Sequence, residues 1–129
     1  MSAGKYSFVI EQGATTDFNI NYKDNSNNPV NLTGYQARMQ IRSDYADSTS
    51  TIIANLSSSL LSDNTGLNLS GSNGTTPLSS GSIGLYISAV TSSTFTFSEA
   101  RYDIELISGS TTTRLLEGKI QLSKEVTRV

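Results

Sequence analysis

From Tyr35 to Arg42 the chain alternates without a break: Tyr35, Ala37, Met39 and Ile41 fall on one side of an extended segment, Gln36, Arg38, Gln40 and Arg42 on the other. That period predicts a strand with one face for a core and one for solvent or a partner. Similar stretches recur along the chain. Tyr6 to Glu11 predicts a first short strand closed by Gln12-Gly13, and Thr16 to Tyr22 places Phe18, Ile20 and Tyr22 on one face. Residues 23–34, KDNSNNPVNLTG, form a polar turn cluster ahead of the strand at 35–42. Residues 43–50 read as a loop or a single helical turn, and Thr51 to Leu56 as another strand. The segment 57–82 is the least determined, with a short strand at Gly66 to Ser70 and then a Gly/Ser/Thr-rich loop expected to be exposed and mobile. Ile83, Leu85 and Ile87 alternate again. Residues 88–95 read either as a short helical connection or as a loop crossing between sheets.

A hairpin closes the chain. Tyr102, Ile104 and Leu106 face inward, a Ser-Gly-Ser turn sits near 108–110, and Arg114 to Ser123 returns with Leu116, Gly118, Ile120 and Leu122 on the core side. Some eight short strands about ten residues apart, separated by turn signals, predict an all-β fold, an antiparallel immunoglobulin-like β-sandwich of about seven to nine strands. Ser98-x-Ala100-x-Tyr102-x-Ile104 matches the spacing of a tyrosine corner, with Ile104 in the place that a disulfide cysteine takes in antibody domains; an ordinary core tyrosine is the competing reading.

Composition supports the same class. A chain of 129 residues is one domain, 1–129, large enough for a single core. Ser, Thr and Asn account for 47 of the 129 residues, which favours strands and turns over helices. The net charge of −2 gives no reason to expect nucleic acid or an anionic membrane as partner. The opening MSAGKYSF lacks the charged and apolar regions of a secretory signal, and no stretch approaches the roughly 20 apolar residues of a membrane span, so synthesis in a cytosol is expected. Asn-x-Ser/Thr triplets at Asn31, Asn55, Asn68 and Asn73 are the chance product of so much Asn, Ser and Thr.

The candidate chemistry is thin. The chain has no Cys and no His, so disulfides, thiolate or imidazole metal sites and Ser-His-Asp or Cys-His constellations are excluded. Asp103 and Glu105 share a strand face about 7 Å apart, within the span a glycosidase needs. Glu117 and Lys119 on the neighbouring strand and the arginines of 35–42 favour cross-strand charge pairs instead. Asp44-x-x-Asp47 and the Asp24-Asn25-x-Asn27-Asn28 cluster offer oxygen ligands without the spacing of a calcium loop, and Asx side chains in loops commonly bond their own backbone. The expectation is a protein without catalytic residues, metal or cofactor.

Two stretches, 10–42 (IEQGATTDFNINYKDNSNNPVNLTGYQARMQIR) and 101–128 (RYDIELISGSTTTRLLEGKIQLSKEVTR), resemble small β-sandwich proteins encoded in the tail-gene clusters of tailed bacteriophages and prophages. They are similar also to the N-terminal module of upper baseplate proteins of lactococcal phages. The resemblance covers about residues 8–42 and 83–129 and rests on Gln12-Gly13-Ala14, Pro29-Val30-x-Leu32-Thr33-Gly34-Tyr35, Ile41-Arg42, and Leu116-Glu117-Gly118 leading into Val126-Thr127-Arg128. Residues 57–82 fall outside it, and Arg101 stands where the family pattern has Gly. The resemblance implies a virion structural protein of the tail, baseplate or tail-fibre attachment, made in the host cytoplasm and acting by assembly with other virion proteins or with copies of itself, with no membrane or nucleic-acid partner. Arg38, Arg42, Arg114, Lys124 and Arg128 are then the candidate interface residues, since arginine is enriched at interfaces. Surface charges paired across a sheet are the competing reading. An exposed sheet edge offers strand pairing with another subunit. The rival functional class is a carbohydrate- or host-receptor-binding module using Tyr45, Phe95 and Phe97; Phe95 and Phe97 alternatively plug the end of the core. A capsid decoration protein is the third expectation.

Overall fold

The period-two segments become strands because alternate side chains of each can be buried against a second layer while the others stay wet. A computed structural model describes residues 4–43 and 51–126. Its strands are β1 (Gly4–Lys5), β2 (Phe8–Glu11), β3 (Thr16–Asn21), β4 (Gln36–Arg42), β5 (Ile52–Ser57), β6 (Gly66–Asn68), β7 (Ser82–Ile87), β8 (Glu99–Ser108) and β9 (Thr111–Ser123); a short helix, α1 (Ala89–Ser93), links β7 to β8. The larger sheet runs β1-β9-β8-β4-β5, with β2 also on β9, and the smaller runs β3-β7-β6. Equating β3 through β9 with strands B, C, C′, D, E, F and G gives the two sheets of an immunoglobulin-like sandwich, with the N-terminal strands parallel to the last one.

The faces fall where the alternation puts them. Ala37, Met39 and Ile41 of β4, Ile83, Leu85 and Ile87 of β7, and Tyr102, Ile104 and Leu106 of β8 are all buried in one core. Leu32, Leu56, Leu67, Ile10, Ile120 and Phe95 close it. Phe18 and Ile20 of β3, and Tyr22 just beyond its end, pack on it while remaining partly exposed, since β3 is an edge strand of the smaller sheet.

Four local features depart from the alternation or decide what it left open. The expected strand from Tyr6 to Glu11 begins only at Phe8, and a two-residue strand that the sequence did not suggest, β1, precedes it; between them Tyr6 and Ser7 arch over Gly118 of β9. A Cβ on Gly118 would stand 2.0 Å from the Tyr6 carbonyl oxygen. That arch is held from the core side: the Tyr102 hydroxyl donates to the Tyr6 carbonyl at 2.5 Å. The bond closes across 96 residues of chain, so Tyr102 is a core tyrosine tethering the N-terminal strands and not a local tyrosine corner.

In β9 the pairing with β8 slips between Ile104 and Glu105, leaving Leu115 as an extra residue. The segment after β7 is helical, and Ser88 caps it by accepting from the Thr91 backbone N–H. In the 57–82 segment Thr65 and Leu67 are buried, and β6 stops at Asn68, where the Asn68 side chain and carbonyl accept from the Ser70 and Gly71 amides in a turn. Most of the loop beyond is exposed, as expected, and includes a 3-10 turn at Leu78–Ser80.

Candidate functional site

The outward side chains of the larger sheet gather into a groove of about 900 Å³. Strand register decides which charges meet there. Arg38 of β4 lies opposite Glu105 of β8, and Glu105 opposite Arg114 of β9. One step along, Gln40 lies opposite Asp103 and Asp103 opposite Glu117. One step further, Arg42 lies opposite Arg101 and Arg101 opposite Lys119. Lys5 of β1 reaches in from the edge to ion-pair with Glu117.

The first two rows are knit together. Arg38 Nε donates to Glu105 Oε1 at 2.7 Å, while Arg114 lies 3.5 Å from both Asp103 Oδ2 and Glu117 Oε1. The carboxyls respond in opposite directions. Burial raises the Asp103 pKa, with the neighbouring Glu105 charge adding to it, and this outweighs the attraction of Arg114. Glu117 is held below the ordinary carboxylate range, chiefly by the hydrogen bond from Lys5. Asp103 and Glu105 therefore belong to cross-strand ion pairs, the arrangement that the sequence favours over a glycosidase pair.

The structure brings Arg38, Arg42 and Arg114 into this one groove. Arg42 also donates from Nε to Gln40 Oε1 at 3.0 Å. It does not bring Lys124 there: its Nζ donates to the Thr96 carbonyl at 3.2 Å, tying the end of the chain to the loop before β8. Arg128, Tyr45, Asp44 and Asp47 lie outside the described residues. Lys5 and Arg101, absent from the sequence-based candidates, line the groove beside Lys119. Arg101 was legible as the outward neighbour of Tyr102. Lys5 had no signal, because the parallel pairing of β1 with β9 joins segments more than a hundred residues apart.

Among the described residues, six of the chain's nine basic side chains line this one groove together with three acidic ones. A groove this large matches a ligand pocket in volume, yet pockets for small molecules are mostly apolar and enclosed. This one is a half-open hollow on a sheet face, with nine charged side chains along its lining.

Two other sequence-based sites resolve into ordinary structure. The Asp24 carboxylate accepts from the backbone amides of Ser26 and Asn28, so it serves its own turn. Phe95 is buried and Phe97 packs on it with ring centroids 5.7 Å apart, plugging the end of the core. A second, smaller hollow of about 300 Å³ lies by the smaller sheet, with Tyr86, Asn64, Asn68 and Asn73 among the residues that line it. Among the described residues no group of three or more acidic side chains is placed to hold a metal ion, and no helix is long and apolar enough to cross a membrane.

By strand order and core, the chain is an immunoglobulin-like sandwich with a charged outer face. No protein-family model matches it, and no curated protein does so significantly.

Proposed function

We propose that the chain is a non-enzymatic structural module of a bacteriophage virion, in the tail, baseplate or tail-fibre attachment, and that it acts by protein–protein assembly through the outer face of its larger sheet. The observation that carries this reading is the gathering of six basic side chains into one open groove, where a rigid strand scaffold fixes their spacing. The resemblance of residues 8–42 and 83–129 to phage tail-cluster sandwiches supplies the setting. Its partners are then other virion proteins or further copies of the chain, and its place is the particle after synthesis in the host cytoplasm. Particles released from the phage or induced prophage that encodes the chain, banded by density and digested for mass spectrometry, are expected to contain it in stoichiometric amount. Its recovery only in the unassembled fraction would end this reading, and recovery in capsids lacking tails would make it a decoration protein.

A second reading has its own observation. Tyr86 and three asparagines line one hollow, bringing an aromatic side chain and side-chain amides to one place, the chemistry that carbohydrate recognition uses. A glycan array separates the two: micromolar binding lost in Tyr86→Ala would favour a receptor-binding module.

A further inference from the structure

In an immunoglobulin-like sandwich the first strand can lie beside strand B. Here β1 and β2 pair with β9 instead, and among the described residues only β7 pairs with β3. The free edge of β3 is regular: it keeps register with β7 over all of Thr16–Asn21, without a bulge and without Pro, two of the devices that blunt exposed edges. The other edges are short or irregular. β5 pairs with β4 through a shift at Ile41 and Arg42, β6 has three residues, β1 two and β2 four. The Tyr22 amide donates to the Gly81 carbonyl opposite it at 2.8 Å, and this fixes the phase of β3. Phe18 and Ile20 then exchange their backbone bonds with β7, while the N–H and C=O groups of Asp17, Asn19 and Asn21 point to the free side. Lys23 continues that series, because the bonds beside its bridge to Pro29 are made by its neighbours, Val30 to Tyr22 and Asp24 to Asn28.

Along this edge the sequence is complementary to itself. Residues 17–23, DFNINYK, laid antiparallel to a second DFNINYK about Ile20, set Asp17 against Lys23, Phe18 against Tyr22, Asn19 against Asn21 and Ile20 against Ile20. Opposite charges and aromatic pairs are combinations that stabilise an antiparallel ladder, and no like charges meet. We propose that a second copy of the chain pairs with this edge, β3 against β3 across a two-fold axis at Ile20, so that the two smaller sheets become one continuous sheet. The same register joins the free backbone groups, since Asp17 with Lys23 and Asn19 with Asn21 become hydrogen-bonded pairs that exchange both N–H···O bonds. Slipping it by two residues either way keeps the backbone bonding but removes both ion pairs. Among the described residues neither Asp17 nor Lys23 ion-pairs within its own chain, so both charges are available to the second copy. Phe18, Ile20 and Tyr22 are partly exposed at the rim of the core, and the added strand covers them. Beside them the Tyr6 and Phe8 rings lie 5.8 and 5.2 Å from that of Phe18, and Tyr6 is 47% exposed, so the seam between the sheets has apolar surface left to bury. A strand of unrelated sequence would gain the backbone bonds alone.

This pairing goes beyond the assembly reading, whose surface is the larger sheet. Light scattering after size exclusion of the full chain, over a range of loading concentrations, is expected to show monomer and dimer in exchange. Asn21→Pro removes an outward N–H at an edge position that tolerates Pro, and is expected to leave a monomer. Asp17→Lys alone and Lys23→Asp alone each set like charges against one another at both ends of the pairing. Each is expected to weaken dimerisation at least about tenfold. An equimolar mixture of these two variants restores opposite charges at both ends and is expected to dimerise as the unaltered chain does. Circular dichroism melts report whether each variant folds, and the charge variants carry the test if Asn21→Pro does not. A chain that stays monomeric at the highest concentration at which it remains in solution would overturn the proposal and leave the edge to a different protein. A dimer that persists in folded Asn21→Pro, or charge variants whose mixture associates no better than either alone, would overturn it too. A monomer in solution would leave the virion reading standing, and absence from virions would leave the dimer standing.

Discussion

Met39 and Arg38 are neighbours with opposite fates. Met39 is buried against the smaller sheet, while the Arg38 side chain is 59% exposed and pairs with Glu105 at the surface. Met39→Asp places an unpaired charge in the core, a cost of several kcal/mol that is a large part of a domain's stability, and is expected to abolish soluble expression. Arg38→Ala removes a surface ion pair and is expected to cost less than about 1 kcal/mol in urea unfolding. If Met39→Asp protein purified and melted like the unaltered chain, the assignment of faces would be wrong. Asp63 shows what a single loop residue does. Its carboxylate accepts from the Ser88 hydroxyl, the Thr65 amide and the Thr91 hydroxyl, which hold it far below the ordinary carboxylate range and pin the 57–82 segment to the start of α1. A depressed folded pKa stabilises above the unfolded value and loses that contribution as pH falls through the folded one. Asp63→Asn is therefore expected to melt below the unaltered chain at neutral pH, with the difference shrinking once the solution is more acidic than the ordinary Asp range near pH 4. A melting difference that stayed constant from neutral pH to pH 2 would show that the charge of Asp63 is not what matters.

At the scale of elements, the N-terminal strands depend on a gap in β9. Gly118 leaves room for the Tyr6-Ser7 arch, and the Tyr102 hydroxyl donates to the Tyr6 carbonyl of that arch. Gly118→Ala must push the Tyr6 carbonyl away or move β9, with an expected cost of about 1–3 kcal/mol. Tyr102→Phe keeps the ring among Phe8 and the core but removes the hydrogen bond, with an expected cost of about 0.5–1.5 kcal/mol. Hydrogen exchange distinguishes this local role from a general one: in both variants the amides of β2 are expected to exchange faster, by a larger factor than those of β4. Equal acceleration throughout both sheets would mean that the arch is not a separate element of stability. The loss of a side chain at 118 reads in sequence as an interruption of the core-side alternation Leu116, Gly118, Ile120, and only the arch explains it.

At the scale of the whole molecule, both sheets contribute to one core, so unfolding is expected to be a single transition with matching calorimetric and van't Hoff enthalpies. Two separated transitions would mean that the smaller sheet, with β6 and the loops around it, opens independently. One shared core also explains what was legible beforehand. The faces of β3, β4, β7 and β8 could be read directly because burial on a sheet has a period of two, and that period is written in the residues themselves. The turn cluster at 23–34 could be read because Asn and Asp bond the chain locally, as Asp24 does, whereas the turn at Asn68 fell inside the expected strand Gly66 to Ser70. Register could not be read, since it matches residues far apart in the chain, and a shift by two would keep every apolar side chain inside while changing every charge pair outside. The sequence by itself therefore determined the class of fold, strands such as β3, β4, β7 and β8 with their buried faces, and the lack of Cys and His chemistry. Tertiary structure alone decided that Lys5 joins Glu117, that Tyr102 tethers Tyr6, and that Arg42, Arg101 and Lys119 form one row, because cross-strand pairing is a long-range choice made by the packed sheets together.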